Sequence, residues 1–76
     1  EMDDARRCFE TALAAAEVHG ALRIAAECHA GLGELLGALG CDEIAFQHLY
    51  KALELAKQAE TLRAEVDTFI RKVRAA

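Results

Sequence analysis

Among the side chains that could bind a metal or act as nucleophiles, the chain has three cysteines and three histidines. Cys28 and His29 are adjacent, and Cys8 and His48 occupy matching places in two segments of similar apolar pattern. Neighbouring residues on a helix point about 100° apart, so Cys28 and His29 are poorly placed to ligate the same ion. We interpret these residues as small packed side chains and predict neither a metal site nor a cofactor.

The cysteines also indicate the redox setting. An odd number of cysteines cannot all pair within one chain, and none occurs in a C-x-x-C spacing. A reducing, cytoplasmic location is therefore predicted. Cys41 is the candidate for an exposed thiol, and because Asp42 and Glu43 oppose its activation by a helix dipole, we predict an ordinary surface cysteine.

Catalysis, nucleic-acid binding and membrane insertion are all disfavoured by the composition. Serine is absent, and the glycines at 31, 33, 37 and 40 lie within or at the end of a helical pattern rather than after a strand, which excludes a phosphate-binding loop. The net charge of -4 disfavours nucleic acid, which requires a clustered basic face. No uncharged apolar run approaches the ~20 residues of a membrane span. We therefore predict a soluble protein that is not an enzyme.

Apolar residues recur at helical spacing along the whole chain, and proline is absent. Gly20 and Gly40 each follow a periodic run directly, which is typical of a helix C-terminus. Asp42 is the better N-cap for the helix after Gly40. Gly33 and Gly37 lie one turn apart, and we expect them to admit a neighbouring backbone. The predicted helices cover about 2–18, 22–39, 42–59 and 62–74.

The boundary between the third and fourth predicted helices depends on the phase of the apolar pattern. The stripe assigned to the third helix is Ile44, Ala45, Leu49, Ala52, Leu53 and Ala56. Continued as one helix, that stripe would bury Arg63, and the apolar residues that follow are displaced by about one position. A break near residues 60–61, with Thr61 as N-cap, is predicted for this reason.

The chain also repeats itself at a period of forty residues. Internal repetition at a period of 20–50 residues is typical of solenoids, in which each unit packs only against its neighbours. The matching pairs are Ala5 and Ala45, Phe9 and Leu49, Ala12 and Ala52, Leu13 and Leu53, Ala16 and Ala56, Leu22 and Leu62, and Arg23 and Arg63.

Two adjoining segments carry a family resemblance. His29-x-x-Leu32-Gly33-x-x-Leu36, followed by Ala45-x-x-x-Leu49-x-x-Ala52, resembles the tetratricopeptide repeat. His29, Leu36 and Leu49 replace aromatic residues of the family pattern, and Lys57 stands where its closing proline would be. The forty-residue period resembles that of the longer-helix subclass found in cell-polarity adaptors and receptor-clustering scaffolds.

The resemblance implies an all-α fold of antiparallel helix-turn-helix repeats, a solenoid fragment of about four helices. The single domain, 1–76, would hold a B-helix half-repeat at 1–19, a complete repeat at 21–59 and a capping or half-repeat helix at 61–76. The first helix would leave part of its apolar face open, to be covered by upstream repeats or by self-association. The packing residues implied are Leu32, Gly33, Leu36, Ala45, Leu49 and Ala52.

The family binds partner proteins in a groove lined by its A helices, so the resemblance implies a non-catalytic scaffold. The lysine and asparagine clamp that some relatives use for C-terminal carboxylates is missing, and the groove carries two glutamates. A basic or mixed peptide, or a partner helix, is therefore the predicted ligand. The alternative is a self-associating regulatory domain of a larger signalling protein. The groove positions would be Glu27, Ala30, Glu34, Gly37 and Ala38.

Overall fold

The computed structural model describes residues 2–75, and Glu1 and Ala76, the ends of the predicted segments 1–19 and 61–76, lie outside the described residues. The described chain is all-α. It forms three helices joined by two short turns: α1 spans Met2–His19, α2 spans Leu22–Ala38 and α3 spans Asp42–Ala75. Acidic residues occupy the first turns of α1 and α3, where they complement the positive end of the helix dipole.

Both turns have the same hydrogen-bonded geometry. After α1, the amide of Ala21 donates to the carbonyl of Ala16 at 2.8 Å. After α2, the amide of Cys41 donates to the carbonyl of Leu36 at 2.9 Å. The residue before each donor is a glycine with positive φ, 66° at Gly20 and 81° at Gly40. This is the Schellman arrangement, which stops a helix where a residue accepts the left-handed conformation. The two helix ends predicted at these glycines are confirmed.

The predicted break near residues 60–61 is wrong. Helix α3 continues through Thr61, which is an interior residue rather than an N-cap, so residues 61–75 are not a separate fourth helix. The forty-residue repeat explains the difference between this site and the turn at Gly20. The residue that corresponds to Gly20 is Glu60, and a non-glycine residue pays about 1–2 kcal/mol in the left-handed conformation. Without a glycine, the helix is not stopped.

The phase of the apolar stripe on α3 also differs from the predicted one. The residues of α3 that are buried or half-buried are small ones together with His48 and Leu55, whereas Leu49 is 38% exposed and Leu53 is 55% exposed. This covered stripe keeps a regular spacing of three and four residues, and it runs on without any slip into the apolar residues after Glu60. The full set is Ala45, His48, Ala52, Leu55 and Ala59, followed by Leu62, Val66, Phe69 and Val73.

Helix α2 lies between α1 and α3 and packs against both, whereas no described Cα atom of α1 comes within 8 Å of one in α3. On the α1 side, a Cβ atom at Gly31 would overlap the ring of Phe9. On the α3 side, a Cβ atom at Gly33 would lie 2.7 Å from Cγ of Leu49. Close approach of backbones lets small residues form a core in a thin structure.

The three-helix stack measures 55 × 21 × 15 Å, and its longest dimension is the length of α3. Since α3 is twice as long as α2, its second half extends beyond the stack by about 25 Å. Every described residue from Glu60 onward is exposed. None of the described helices is both long and apolar enough to cross a membrane.

Candidate functional site

The outer face of α2 carries the predicted groove residues. Glu27, Glu34, Gly37 and Ala38 are exposed, and Ala30 is half-buried. The opposite faces of α2 bury Ala25 and Cys28 among other residues. Because residues three or four apart share one side of a helix, the five predicted positions form one solvent-facing strip about three turns long.

The two glutamates of this strip have different surroundings. Oε1 of Glu27 lies 3.8 Å from Nε of Arg23, in an exposed ion pair one turn apart. Glu34 makes no ion pair among the described residues. An open groove of about 400 Å³ adjoins Glu27, with Arg23 on the α2 side and Glu60 and Arg63 on the α3 side. The acidic character predicted for the strip is therefore concentrated at Glu34.

The residues predicted to pack are covered to different degrees. Leu32, Leu36 and Ala45 are only 2%, 3% and 4% exposed to solvent, respectively. Gly33 is buried, and its Cβ position lies 3.2 Å from the carbonyl oxygen of Ala45, so α2 and α3 are in close contact here.

Three other small or apolar positions contribute less than expected to this contact. Ala52 is half-buried, and Leu49 covers Gly33 with the end of its side chain while remaining 38% exposed. Gly37 is exposed, and a Cβ atom there would meet only the Cβ of Ala45, at 3.9 Å. The expectation that Gly37 admits a backbone is therefore wrong, because the helices have already separated by the last turn of α2.

A histidine pair joins α2 to α3. The Nδ1 atoms of His29 and His48 are 2.9 Å apart, so one ring donates its Nδ1–H to the Nδ1 of the other, and the ring centroids are 5.1 Å apart. Burial lowers the pKa of His29, and so do the charges of His48 and Lys51, while Glu17 opposes them. The neutral form of His29 is thus favoured in the folded state.

Both histidines were predicted from the sequence to be small packed side chains, and their contact with each other was not predicted. The signal lies in their distances from the turn at Gly40. In an antiparallel hairpin, residues at similar distances on either side of the turn come together. Gly33 and Ala45 face each other across the turn, and continuing the same antiparallel register along both helices brings His29 to within one residue of His48.

The cysteines do not join the histidines. Cys28 is buried and Cys8 is exposed on α1, and within residues 2–75 no three histidine, cysteine or acidic side chains are grouped as metal ligands. Cys41 is exposed, directly before α3.

A second exposed surface lies on the projecting half of α3. We name its five apolar residues, which are between 41% and 67% exposed, the terminal stripe. An open groove of about 560 Å³ separates the near end of this stripe from Leu22 and Ile24 at the start of α2. The sequence interpretation assigned these residues to the buried face of a fourth helix, but nothing in the described structure covers them. The terminal stripe comprises Leu62, Val66, Phe69, Ile70 and Val73.

Comparisons of the chain with models of protein families, with curated proteins and with solved structures found no match.

Proposed function

We propose that this chain is a non-catalytic protein-interaction module that binds a peptide segment or helix of a partner along the outer face of α2. The observation that carries the proposal is the position of α2. Two of its faces are buried against α1 and α3, and the third is a rigidly held, solvent-facing strip. A strip on a helix that is fixed on both sides loses little conformational entropy when it binds a partner.

The tetratricopeptide-like interpretation belongs to this proposal. In its support, α2 and the first half of α3 form an antiparallel hairpin closed at Gly40, with Gly33 and Ala45 at the closest approach. The first turn repeats the geometry of the second, as expected for helices of a repeated unit. The three free cysteines support the proposed cytoplasmic setting.

The charge of the strip selects the class of partner. Glu34 is exposed without an ion-pair partner among the described residues, whereas Glu27 has Arg23 beside it. A partner with a basic residue opposite Glu34, next to small or apolar side chains that fit over Ala30 and Ala38, matches this surface. An acidic peptide would be repelled.

Peptide titration tests the proposal. We would add a basic amphipathic helical peptide to the ¹⁵N-labelled chain and record amide shifts, with an acidic peptide of the same apolar pattern as control. Shifts centred on α2 from Glu27 to Ala38, seen only with the basic peptide, are expected. Glu34→Gln should weaken binding several-fold, and Glu43→Gln on α3 should not. Shifts elsewhere, or equal binding of both peptides, would refute the proposal.

Self-association is the second candidate function, and the exposed apolar side chains favour it. Phe9 and Leu13 on α1 were expected to keep part of their apolar surface uncovered, and both are half-buried, with Phe9 covering Gly31. The outward side of α1 instead presents small residues around a shallow depression that includes Cys8 and Ala12. The larger exposed apolar surface is on α3.

A further inference from the structure

The terminal stripe continues the face of α3 that α2 covers. Ala45, Leu55 and Ala59 pack under α2, and the same spacing of three and four residues leads on to Leu62 and Val66. A sustained spacing of this kind is the pattern of a helix with one long seam for packing against other helices. Only the first half of this seam is filled within one chain.

The internal repeat relates the terminal stripe to a set of residues on α2 that other helices of the same chain cover. Each residue of the terminal stripe has a counterpart forty positions earlier on α2, and every counterpart is buried or half-buried. The stripe itself has the larger side chains. The counterparts are, in order, Leu22, Ala26, His29, Ala30 and Gly33.

We propose that the terminal stripe is the interface of an antiparallel homodimer, with the projecting half of α3 from a second copy of this chain as its occupant. The proposal concerns a surface separate from the α2 strip and does not depend on the peptide-binding function. In the register we propose, Leu62 packs against Val73 of the second copy, and Val66 packs against Phe69 of the second copy. The twofold axis then passes between residues 67 and 68.

Charge complementarity supports this register. Glu65 and Lys72 each directly precede a residue of the seam, so both flank it on the same side. In an antiparallel helix pair, flanking residues of this type face each other across the seam. Glu65 therefore lies opposite Lys72 of the second copy, and the twofold axis generates the same pair again. Both side chains are exposed in the single chain.

The shape of the chain selects the antiparallel orientation. Helix α2 occupies the seam side of α3 up to about Ala59, so a parallel partner in the same register would collide with α2. An antiparallel partner places its own α1 and α2 at the far end of the pair. The groove beside Leu22 and Ile24 then receives the end of the second α3.

The area is adequate for a reversible dimer. A pairing that covers five large apolar side chains on each copy buries on the order of 1,000 Å² in total, which is the lower end of the range for specific interfaces. We expect a dimer that dissociates in the micromolar range. At higher dilution the projecting half of α3 is uncovered.

Sedimentation equilibrium over a wide concentration range tests the dimer, with a reductant present because Cys8 and Cys41 are exposed. The parent chain should change from monomer to dimer with concentration. Val66→Lys should abolish the dimer without loss of helix signal, because about half of the Val66 side chain is exposed in the monomer and it is not part of the core cluster. Leu53→Lys, at an equally exposed apolar position on another side of α3, is the matched control and should still dimerise.

Charge exchange tests the register. Glu65→Lys alone and Lys72→Glu alone should each raise the dissociation constant about tenfold, because each places like charges opposite one another twice. The double exchange should restore the parent value. A parent chain that stays monomeric at millimolar concentration, a dimer that Val66→Lys leaves intact, or a double exchange without recovery would each overturn the proposal. Glu34→Gln should leave the dimer unchanged, so failure here is distinguishable from failure of the peptide-binding function.

Discussion

Replacing Gly33 and Gly37 separately with alanine measures how closely α2 approaches α3. Both glycines lie in α2, one turn apart, and either substitution removes the conformational freedom of glycine. Taken alone, that change stabilises a helix by about 0.5–1 kcal/mol. The two sites differ in the space available for the new methyl group.

The structure predicts that only one of the two variants, Gly37→Ala, is stabilised. At position 33 the added Cβ lies 2.7 Å from Cγ and Cδ2 of Leu49 and 3.2 Å from the carbonyl oxygen of Ala45. The leucine end is partly exposed and can rotate, but the carbonyl belongs to the backbone of α3 and can move only with the helix. Overpacking of this kind costs about 1–3 kcal/mol, so Gly33→Ala should be neutral or destabilising by up to about 2 kcal/mol.

At Gly37 the nearest atom is the Cβ of Ala45 at 3.9 Å, which is ordinary van der Waals contact. Gly37→Ala should therefore stabilise the fold by about 0.5–1 kcal/mol. The melting temperatures of the two variants should differ by about 4–8 °C for each kcal/mol that separates them.

Urea unfolding followed by circular dichroism at 222 nm gives both free energies. The protein concentration should be low, so that any dimer has dissociated and the values refer to one chain. Equal stabilisation by the two substitutions would refute the close approach of α2 and α3 at Gly33.

Two further predictions concern His29 of α2 and the covered stripe of α3. Because the pKa of His29 is lowered in the folded state, the unfolded chain binds more protons than the folded one. The stability that this contributes should be fully present above the unfolded pKa of about 6.5 and should fall as the pH decreases below it. His29→Asn should flatten this pH dependence of the unfolding free energy in urea titrations at pH 7.5 and 5.5, and an unchanged pH profile would contradict the assignment. Leu55→Ala should lower the free energy of unfolding by about 2–4 kcal/mol, because Leu55 is only 8% exposed and joins the core cluster. Leu53→Ala, at a position that is 55% exposed, should lower it by less than about 1 kcal/mol. Similar losses for the two variants in urea unfolding would show that Leu53 lies on the buried face of α3, as the sequence predicted.

The helix ends were the most predictable part of this fold. Gly20 and Gly40 follow apolar runs directly, and few residues other than glycine accept the backbone conformation that these turns require. The same rule, applied to Glu60, predicts that α3 continues. The sequence nevertheless led to a predicted break near residues 60–61, because the apparent slip of the apolar pattern was given more weight than the missing glycine.

That slip arose because Leu49 and Leu53 were placed on the buried face together with Ala45 and Ala52, which shifted the centre of the assigned stripe. In this thin stack the small residue Ala45 is buried, whereas Leu49 lies over Gly33 and stays partly exposed and Leu53 is more than half exposed. When two helices approach closely, the size of a side chain no longer indicates whether that side chain is buried. The contact between His29 and His48 cannot be predicted from the apolar pattern of each helix taken alone, because it depends on the antiparallel register that the turn sets between α2 and α3.

The absence of close backbone contact between the described parts of α1 and α3 bears on how this chain folds and opens. Every helix packs against its neighbour in sequence, so the stack behaves as a one-dimensional chain of two interfaces that share α2. Either outer helix can detach while the other hairpin stays formed, and contacts of low sequence separation favour rapid re-formation. Leu55 is the exception, since it joins the α3 hairpin to the cluster that contains Ala16 of α1. Cooperativity between the two hairpins therefore depends on a very small number of side chains.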